Sequence, residues 1–488
     1  MTAITDAATA APPQRTPAQR IGFWLGPALF LLISLAPASD GLPVEALRIA
    51  GLAAWMATWW ATEAIPIAAT ALLPLVVIPL AGAGNERQAA APYANPIVLL
   101  LLGGSFTALA IERWDLHRRI ALNVLARVGD RPRTMVLGFM LTTAFISMWI
   151  SNTSTALMMM PIAISTAAAA AAGAARDRFA AAMVLGVAYA ASIGGLATPI
   201  GTPTNLIAMA WLKDSLGRTV TFADWMALGI PTVLCLIPVA WMVVTWRMGL
   251  KGGAEEGAAQ EVRRELSGLG AITTPEKRVL WVFAMVISLW VGGEFLRTNL
   301  GLTGVTDMSI VIAGAIAMMV IPAGPSAPKR PLLTWPEATR APWGVMLLYG
   351  GGLSLAEAMQ RTKLADWLGG QLDVLAGAPP VLIVLAVTAL VLVLTEFMSN
   401  VASITMLLPV LGVLSVATGI EPVTMIVPAA IAASCAFMMP TGTGPNAVAY
   451  GTGKTTVAQM IRRGAGLNLA ALLILTAVGM WIAPRMFG

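Results

Sequence analysis

Charge is what this sequence has least of. Asp, Glu, Lys and Arg together make up 11% of its 488 residues, less than half of the roughly 25% usual in soluble domains. A chain so poor in charge cannot be wetted on all sides, which excludes a soluble globule. There is one histidine, His117, and the two cysteines, Cys235 and Cys435, stand far apart in apolar segments. That excludes a disulfide framework and a thiolate metal centre. It also leaves a membrane-embedded enzyme without a nucleophile–base pair or metal cluster, so the chain is not read as an enzyme. What is abundant is hydrocarbon: 58% of residues are hydrophobic and the mean hydropathy is +0.79. Apolar stretches near 20 residues recur along the chain, the length a bilayer core of roughly 30 Å asks of a helix. The sequence therefore predicts an all-α polytopic membrane protein.

The net charge of +6 does not indicate a nucleic-acid partner. The basic residues gather in short loops and amphipathic stretches, at Arg15 and Arg20, Arg113 to Arg133, Arg176 and Arg178, and Arg247 to Arg278. Orientation charges and headgroup contacts belong there, and Arg15 and Arg20 before the first span favour a cytoplasmic N-terminus. Arg20, the apolar run after it and Ala36-Pro37-Ala38 imitate a signal peptide. The run is long for one and many spans follow, so a retained first helix is expected.

Residues 1–20 read as a disordered tail, and apolar segments follow near 21–38, 44–61, 63–82 and 96–111. The basic stretch 112–133 suits the membrane surface. Segments 134–172 and 180–213 are each interrupted by polar or helix-breaking residues, and a span at 224–247 precedes a polar loop at 248–276. The second half supplies spans near 277–297, 306–323 and 343–359 and an amphipathic piece at 361–379. Interrupted segments at 380–418 and 423–461 and a last span at 464–485 complete it.

The halves repeat one another. A shift of 248 carries Gly103-Gly104 onto Gly351-Gly352, Leu116 onto Leu364, Ser151-Asn152 onto Ser399-Asn400 and Pro161 onto Pro409. Further on the shift becomes 241, and Pro199, Gly201, Thr202 and Asn205 fall on Pro440, Gly442, Thr443 and Asn446. If each Ser-Asn segment is a re-entrant hairpin, five crossings separate the two tips. Five is odd, so the hairpins enter from opposite faces, an inverted repeat of the kind secondary transporters use around a midplane site.

Two pairs of motifs carry the chemistry. The tips are Ser147 to Ser151-Asn152-Thr153-Ser154-Thr155 and Thr395-Glu396-Phe397-Met398-Ser399-Asn400-Val401. Non-helical backbone at membrane depth is tolerated only where it is buried in protein or lines a wet cavity. A tip exposes free N–H groups at the start of its second helix, suited to a carboxylate or sulfate, and its Ser and Asn side chains add donors for an anion and oxygens for a cation. The second pair, Thr198-Pro199-Ile200-Gly201-Thr202-Pro203-Thr204-Asn205 and Pro440-Thr441-Gly442-Thr443-Gly444-Pro445-Asn446, breaks helices and frees carbonyl oxygens for a hard cation. No Lys, Arg or His occurs at 134–175, 180–211 or 374–453. A dianion at the midplane needs positive charge, and bound monovalent cations supply it, which favours cation symport over anion exchange. Glu396 is read as paired with a group on a neighbouring helix rather than as a cation ligand. Gly451-Thr452-Gly453-Lys454-Thr455 imitates the end of a phosphate loop, but its first glycine is missing (Val448) and no strand precedes it.

These paired Ser-Asn tips, each followed by a Gly-Thr-x-x-Asn or similar break, resemble the divalent anion/sodium symporter family over nearly the whole chain from about residue 21. The resemblance implies about eleven spanning helices, two re-entrant hairpins and a homodimer in a bacterial inner membrane. It further implies a scaffold domain (21–111 and 277–359), surface arms (112–133 and 361–379) and a transport domain (134–247 and 380–485) that moves like an elevator. It implies sodium as the coupling ion, no organic cofactor, and a C4-dicarboxylate such as succinate, malate or fumarate, or else a tricarboxylate, as the substrate. A sodium-independent exchanger and a carrier of sulfate are the alternatives. By the same resemblance one sodium site uses Ser147, Ser151, Asn152 and the Gly201 carbonyl, and the other uses Thr395, the Met398 carbonyl, Asn400 and the Gly442 carbonyl. Substrate meets Ser151, Asn152 and Thr153 on one side and Ser399, Asn400 and Val401 on the other, flanked by Thr202-Pro203 and Thr443-Gly444. Val401 and Gly444 depart from the fully duplicated pattern, which would put threonine and proline there.

Overall fold

A computed structural model describes residues 15–37, 42–128, 131–170, 173–246, 257–302, 304–325, 327–371 and 377–487. Among them there is no β-strand; the helices of eight residues or more are as follows. The first half contains α1 (Pro17–Ser34), α2 (Val44–Thr62), α3 (Leu73–Leu80), α4 (Pro96–Arg113), α5 (Leu116–Leu125), α6 (Pro132–Ser147), α7 (Asn152–Ala170), α8 (Gly173–Gly194), α9 (Pro203–Leu216) and α10 (Phe222–Thr245). The second contains α11 (Gly257–Gly268), α12 (Thr274–Val291), α13 (Asp307–Val320), α14 (Trp343–Arg361), α15 (Leu364–Gln371), α16 (Pro380–Phe397), α17 (Asn400–Thr418), α18 (Pro422–Ala432), α19 (Gly444–Gly451) and α20 (Val457–Ala477).

The boundaries follow local chemistry. Capping boxes start α1 (Thr16 with Gln19), α10 (Thr221 with Asp224), α12 (Thr273 with Glu276), α13 (Thr306 with Ser309) and α20 (Thr456 with Gln459). In each the hydroxyl accepts an otherwise orphaned N–H while the third side chain reaches back. Proline opens α4, α6, α9, α16 and α18, where its missing N–H costs nothing. Pro161 and Pro409 sit inside α7 and α17, matched by the repeat.

Six helices among the described residues are long and apolar enough to cross a membrane, and shorter apolar ones occupy Ile67–Leu80, Asp307–Val320 and Pro422–Ala432. The helices of 180–213 and 423–461 are each broken in two, and the segment expected at 63–82 splits into Ile67–Thr70 and α3. Two further expectations need correcting. Residues 17–20, expected in a disordered tail, are the first turn of α1; residues 1–14 lie outside the described residues. Within the 248–276 stretch expected as a loop, 257–268 form the amphipathic α11, while 248–256 lie outside the described residues. Val262 of α11 is buried, and its polar side meets the first arm, with Arg118 of α5 paired to Glu265 at 3.2 Å. Arg119 of α5 donates to the Leu269, Gly270 and Ala271 carbonyls and pairs with Glu276 at 2.6 Å.

α8 lies at the centre: the eighteen-residue apolar window that runs from it into the following turn, within Arg176–Ala197, is wholly buried. The two arms of the first hairpin, α6 and α7, pack against α8 and each other, as α16 and α17 pack against α18. The broken helices cross: α19 packs against α7 and α8, and α9 against α17 and α18. Each hairpin is therefore closed by the broken helix of the other half.

Candidate functional site

Ser151 ends the first hairpin's turn. Its hydroxyl accepts from Ser154 N at 3.2 Å and lies 2.9 Å from Ser154 Oγ, so it caps α7. Ser399 does the same for α17, accepting from Ala402 N at 3.2 Å. With Ser capping, the next residue, Asn152 or Asn400, turns its amide back toward the hairpin's first arm.

Around each Asn amide the fold assembles an oxygen cage. The inward amide atom of Asn152 lies 2.8 Å from Ser147 Oγ, 3.1 Å from the Ala191 carbonyl and 3.3 Å from the Gly201 carbonyl. That of Asn400 lies 3.0 Å from Thr395 Oγ1, 3.0 Å from the Ala433 carbonyl and 3.2 Å from the Gly442 carbonyl. Ser147, Asn152 and Gly201 fall on Thr395, Asn400 and Gly442 under the repeat, and Ala191 and Ala433 take the same place in each set, at a spacing of 242 residues. With nitrogen inward the amide donates to all three oxygens, and the Ser147 or Thr395 hydroxyl proton is free to go to Ala191 or Ala433. With oxygen inward, four oxygens face one another, an arrangement that only a cation makes favourable. A hard, oxygen-seeking cation suits such a set, and a half-turn of the amide converts one state into the other.

The backbone of each break is held from behind. Asn205 donates to the Gly195 and Thr198 carbonyls at 3.0 and 2.8 Å, and its counterpart Asn446 donates to Ala436 and Met439 at 2.9 and 3.0 Å. Trp225 Nε1 donates to the Leu196 carbonyl at 3.1 Å. Gly195 leaves room for the cage itself: a Cβ there would lie 2.4 Å from the Asn152 amide and 3.0 Å from the Gly201 carbonyl.

Glu396 serves the second break alone. Its fully buried carboxylate accepts from Phe437 N (2.8 Å), Met438 N (3.0 Å), Met439 N (2.8 Å) and Asn468 Nδ2 (2.7 Å). It neutralises the cluster of N–H groups that the interrupted helix leaves unpaired. In the first half the equivalent position is Met148, whose carbonyl accepts from Thr198 Oγ1.

Two cavities reach the tips. One of about 240 Å³ is lined by Trp149, Ser151, Ser154, Gly201 and Pro203 together with Glu112 and Arg340. The other, about 650 Å³, is lined by Ser399, Asn400, Gly442, Thr443 and Gly444, with Glu63 at the end of α2. Thr153 joins them. Its Oγ1 occupies the space a side chain on Gly444 would fill, 2.0 Å from where a Cβ would stand.

The structure thus brings Ser147, Asn152 and Gly201 into one cage and Thr395, Asn400 and Gly442 into the other. Ser151 turns to Ser154, and Met398 lies in the wall of the larger cavity. Thr202 and Pro203 line the first break and Thr443 and Gly444 the second, with Val401 half-buried on α17. Sequence reasoning missed the carbonyls of Ala191 and Ala433, because a main-chain oxygen has no side-chain signature. It also missed Arg340. The hairpins and breaks carry no basic residue, but the segment before α14 places this one beside the first tip.

Comparison with known proteins shows the family. The family profile described as the sodium:sulfate symporter transmembrane region matches residues 21–487. A protein of Staphylococcus saprophyticus subsp. saprophyticus named sodium-dependent dicarboxylate transporter SdcS is 39% identical over 480 residues, covering 96% of this chain and 92% of that protein. The protein of the same name from Staphylococcus aureus strain RF122 is 40% identical over 481 residues, with the same coverage. Among solved structures, the YdaH transporter of Alcanivorax borkumensis shares the fold, with a TM-score of 0.60, 14% identity, and coverage of 96% of this chain and 99% of that one.

Proposed function

The chain belongs to the sodium:sulfate symporter family, and from that premise we propose that it carries a C4-dicarboxylate such as succinate, malate or fumarate together with sodium. The observation that carries the proposal is the pair of repeat-related cages, in which three oxygens (Ser147, Ala191 and Gly201, or Thr395, Ala433 and Gly442) surround the Asn152 or Asn400 amide and a half-turn of that amide offers a fourth. Hard cations take about six or more oxygens, so four from the protein leave places for water or for a substrate carboxylate. Sodium in each cage supplies the positive charge the hairpins lack, and the anion is held only when the cages are filled.

Ser151, Asn152 and Thr153 meet one carboxylate and Ser399, Asn400 and Val401 the other. Thr202-Pro203 and Thr443-Gly444 bound the slot between them. Movement is of the elevator type: residues 134–247 and 380–485 travel as a transport domain along a scaffold of 21–111 and 277–359, in a homodimer. The protein sits in a bacterial inner membrane with its N-terminus in the cytoplasm. In proteoliposomes, labelled succinate is expected to accumulate only under an inward sodium gradient. Counterflow unaffected by sodium removal would instead establish the exchanger. The family's description names sulfate, so a sulfate arm belongs in the same panel, and sodium-driven sulfate uptake without succinate uptake would reassign the substrate.

A further inference from the structure

The two cages are joined by a hydroxyl bridge. Ser434 is fully buried, and its Oγ lies 2.8 Å from Thr204 Oγ1 and 3.1 Å from Thr202 Oγ1. Each end of the bridge is one peptide away from a cage oxygen. The Ala433 carbonyl of the second cage and the Ser434 nitrogen share one rigid peptide plane, as do the Gly201 carbonyl of the first cage and the Thr202 nitrogen. A carbonyl that turns toward a cation must therefore move the residue carrying the bridge.

Local structure alone does not account for the bridge. Thr202 is the N-cap of α9, where a threonine hydroxyl ordinarily caps the helix, a bond worth about 1 kcal/mol. Its side chain makes no capping bond and goes to Ser434 instead. The counterpart Thr443 does cap its own helix, accepting from Asn446 N at 3.3 Å. Ser192, the counterpart of Ser434, finds no hydrogen-bond partner among the described residues, and proline replaces the second threonine at position 445. The connection is thus made once, from the first break to the end of α18.

We propose that Ser434 is a positioning residue that couples the two cation sites through Thr202 and Thr204, so that sodium in one cage favours sodium in the other. This rests on the sodium-binding reading above. None of the hydroxyls of Ser434 and Thr204 belongs to a cage, so their removal leaves both sets of cation oxygens in place.

The test is a sodium titration of the purified full-length protein without substrate, read as thermal stability, with choline chloride holding ionic strength constant. Wild type is expected to gain stability steeply over a narrow sodium range. Ser434→Ala and Thr204→Val are each expected to broaden it and raise the concentration that fills the weaker site about 5-fold or more, the lower end of usual coupling between sites. Thr204→Ser keeps the hydroxyl and the steep response, and the double variant is no worse than either single one. Wild-type steepness in both Ser434→Ala and Thr204→Val overturns the coupling while leaving sodium binding intact. A wild-type protein indifferent to sodium overturns the sodium reading itself. If one variant fails to fold, the other decides the matter.

Discussion

Adding a single methyl group at Gly195 should disable one cage and spare the other. A Cβ at that position would stand 2.4 Å from the Asn152 amide oxygen and 3.0 Å from the Gly201 carbonyl. Ordinary contact begins near 3.4 Å, so the amide must retreat by about 1 Å in a packed interior that yields at about 1–3 kcal/mol. Asn152 has little room to yield, since Ser147, Ala191 and Gly201 surround its inward atom. If the whole cost falls on cation binding, the sodium needed to fill the first cage rises about 5- to 150-fold, at 1.4 kcal/mol per decade. The assay is uptake of labelled succinate into proteoliposomes across a series of sodium concentrations, with size-exclusion chromatography to establish that the variant is folded. Gly466→Ala is the control: it lies in α20 with nothing within 4 Å of the added carbon, so its sodium dependence should not change. A folded Gly195→Ala protein with wild-type sodium dependence would refute the reasoning about the first cage.

Asn152→Ala and Asn400→Ala each delete the amide around which a cage is built, and each should abolish sodium-dependent uptake in a protein that still extracts and elutes normally; full uptake in both would remove the cages from the mechanism. Glu396→Ala strands three buried N–H donors and Asn468, and should cost about 3–5 kcal/mol, the usual effect of breaking a buried charged network; an unchanged melting temperature would be the contrary result. Replacing Gly444 with alanine drives a carbon into Thr153 Oγ1, so it should impair uptake more than Gly466→Ala, and Thr153→Ser should partly rescue it by freeing the hydroxyl to rotate. His117, on the arm helix α5, has its pKa pushed down by burial, against the Ile111 carbonyl, Glu112 and Asp115, which raise it. The folded state thus binds this proton less readily than the unfolded chain, whose histidine titrates near 6.5, so its contribution to stability is present above about pH 6.5 and lost as the pH falls below it. Melting temperatures between pH 7.5 and 5 should fall less in His117→Leu than in wild type, and parallel curves would argue against it.

Much of the site was legible because its signals are local. Ser-Asn pairs and Gly/Pro/Asn clusters inside apolar runs are conspicuous, and their recurrence under shifts of 248 and 241 residues pointed to the places where the structure gathers oxygens around Asn152 and Asn400. The reading of Glu396 as paired with a group on a neighbouring helix also held, through Asn468 of α20, although backbone N–H groups at 437–439 are its more numerous partners. Less legible was how many segments cross as single helices. Hydropathy sums over a window and registers neither the break in 63–82 nor the amphipathic helix at 257–268, whose polar side is held by the first arm.

The sequence by itself determined that the chain is a membrane protein, that its halves are related, and that each half carries a polar tip and a helix break. Composition and periodicity suffice for that, since each reports on residues near one another in the chain. Only the tertiary structure decided which oxygens meet. Ala191 and Ala433 are indistinguishable in sequence from the many alanines around them, and their carbonyls enter the cages because the broken helices pass beside the hairpins. The departure at Gly444, which in sequence looks like a lapse in the repeat, is where Thr153 of the opposite half finds space. Thr202 and Ser434 lie 232 residues apart and meet only where the two halves cross. Such contacts depend on chain path rather than residue type, and so no pattern read along the sequence can contain them.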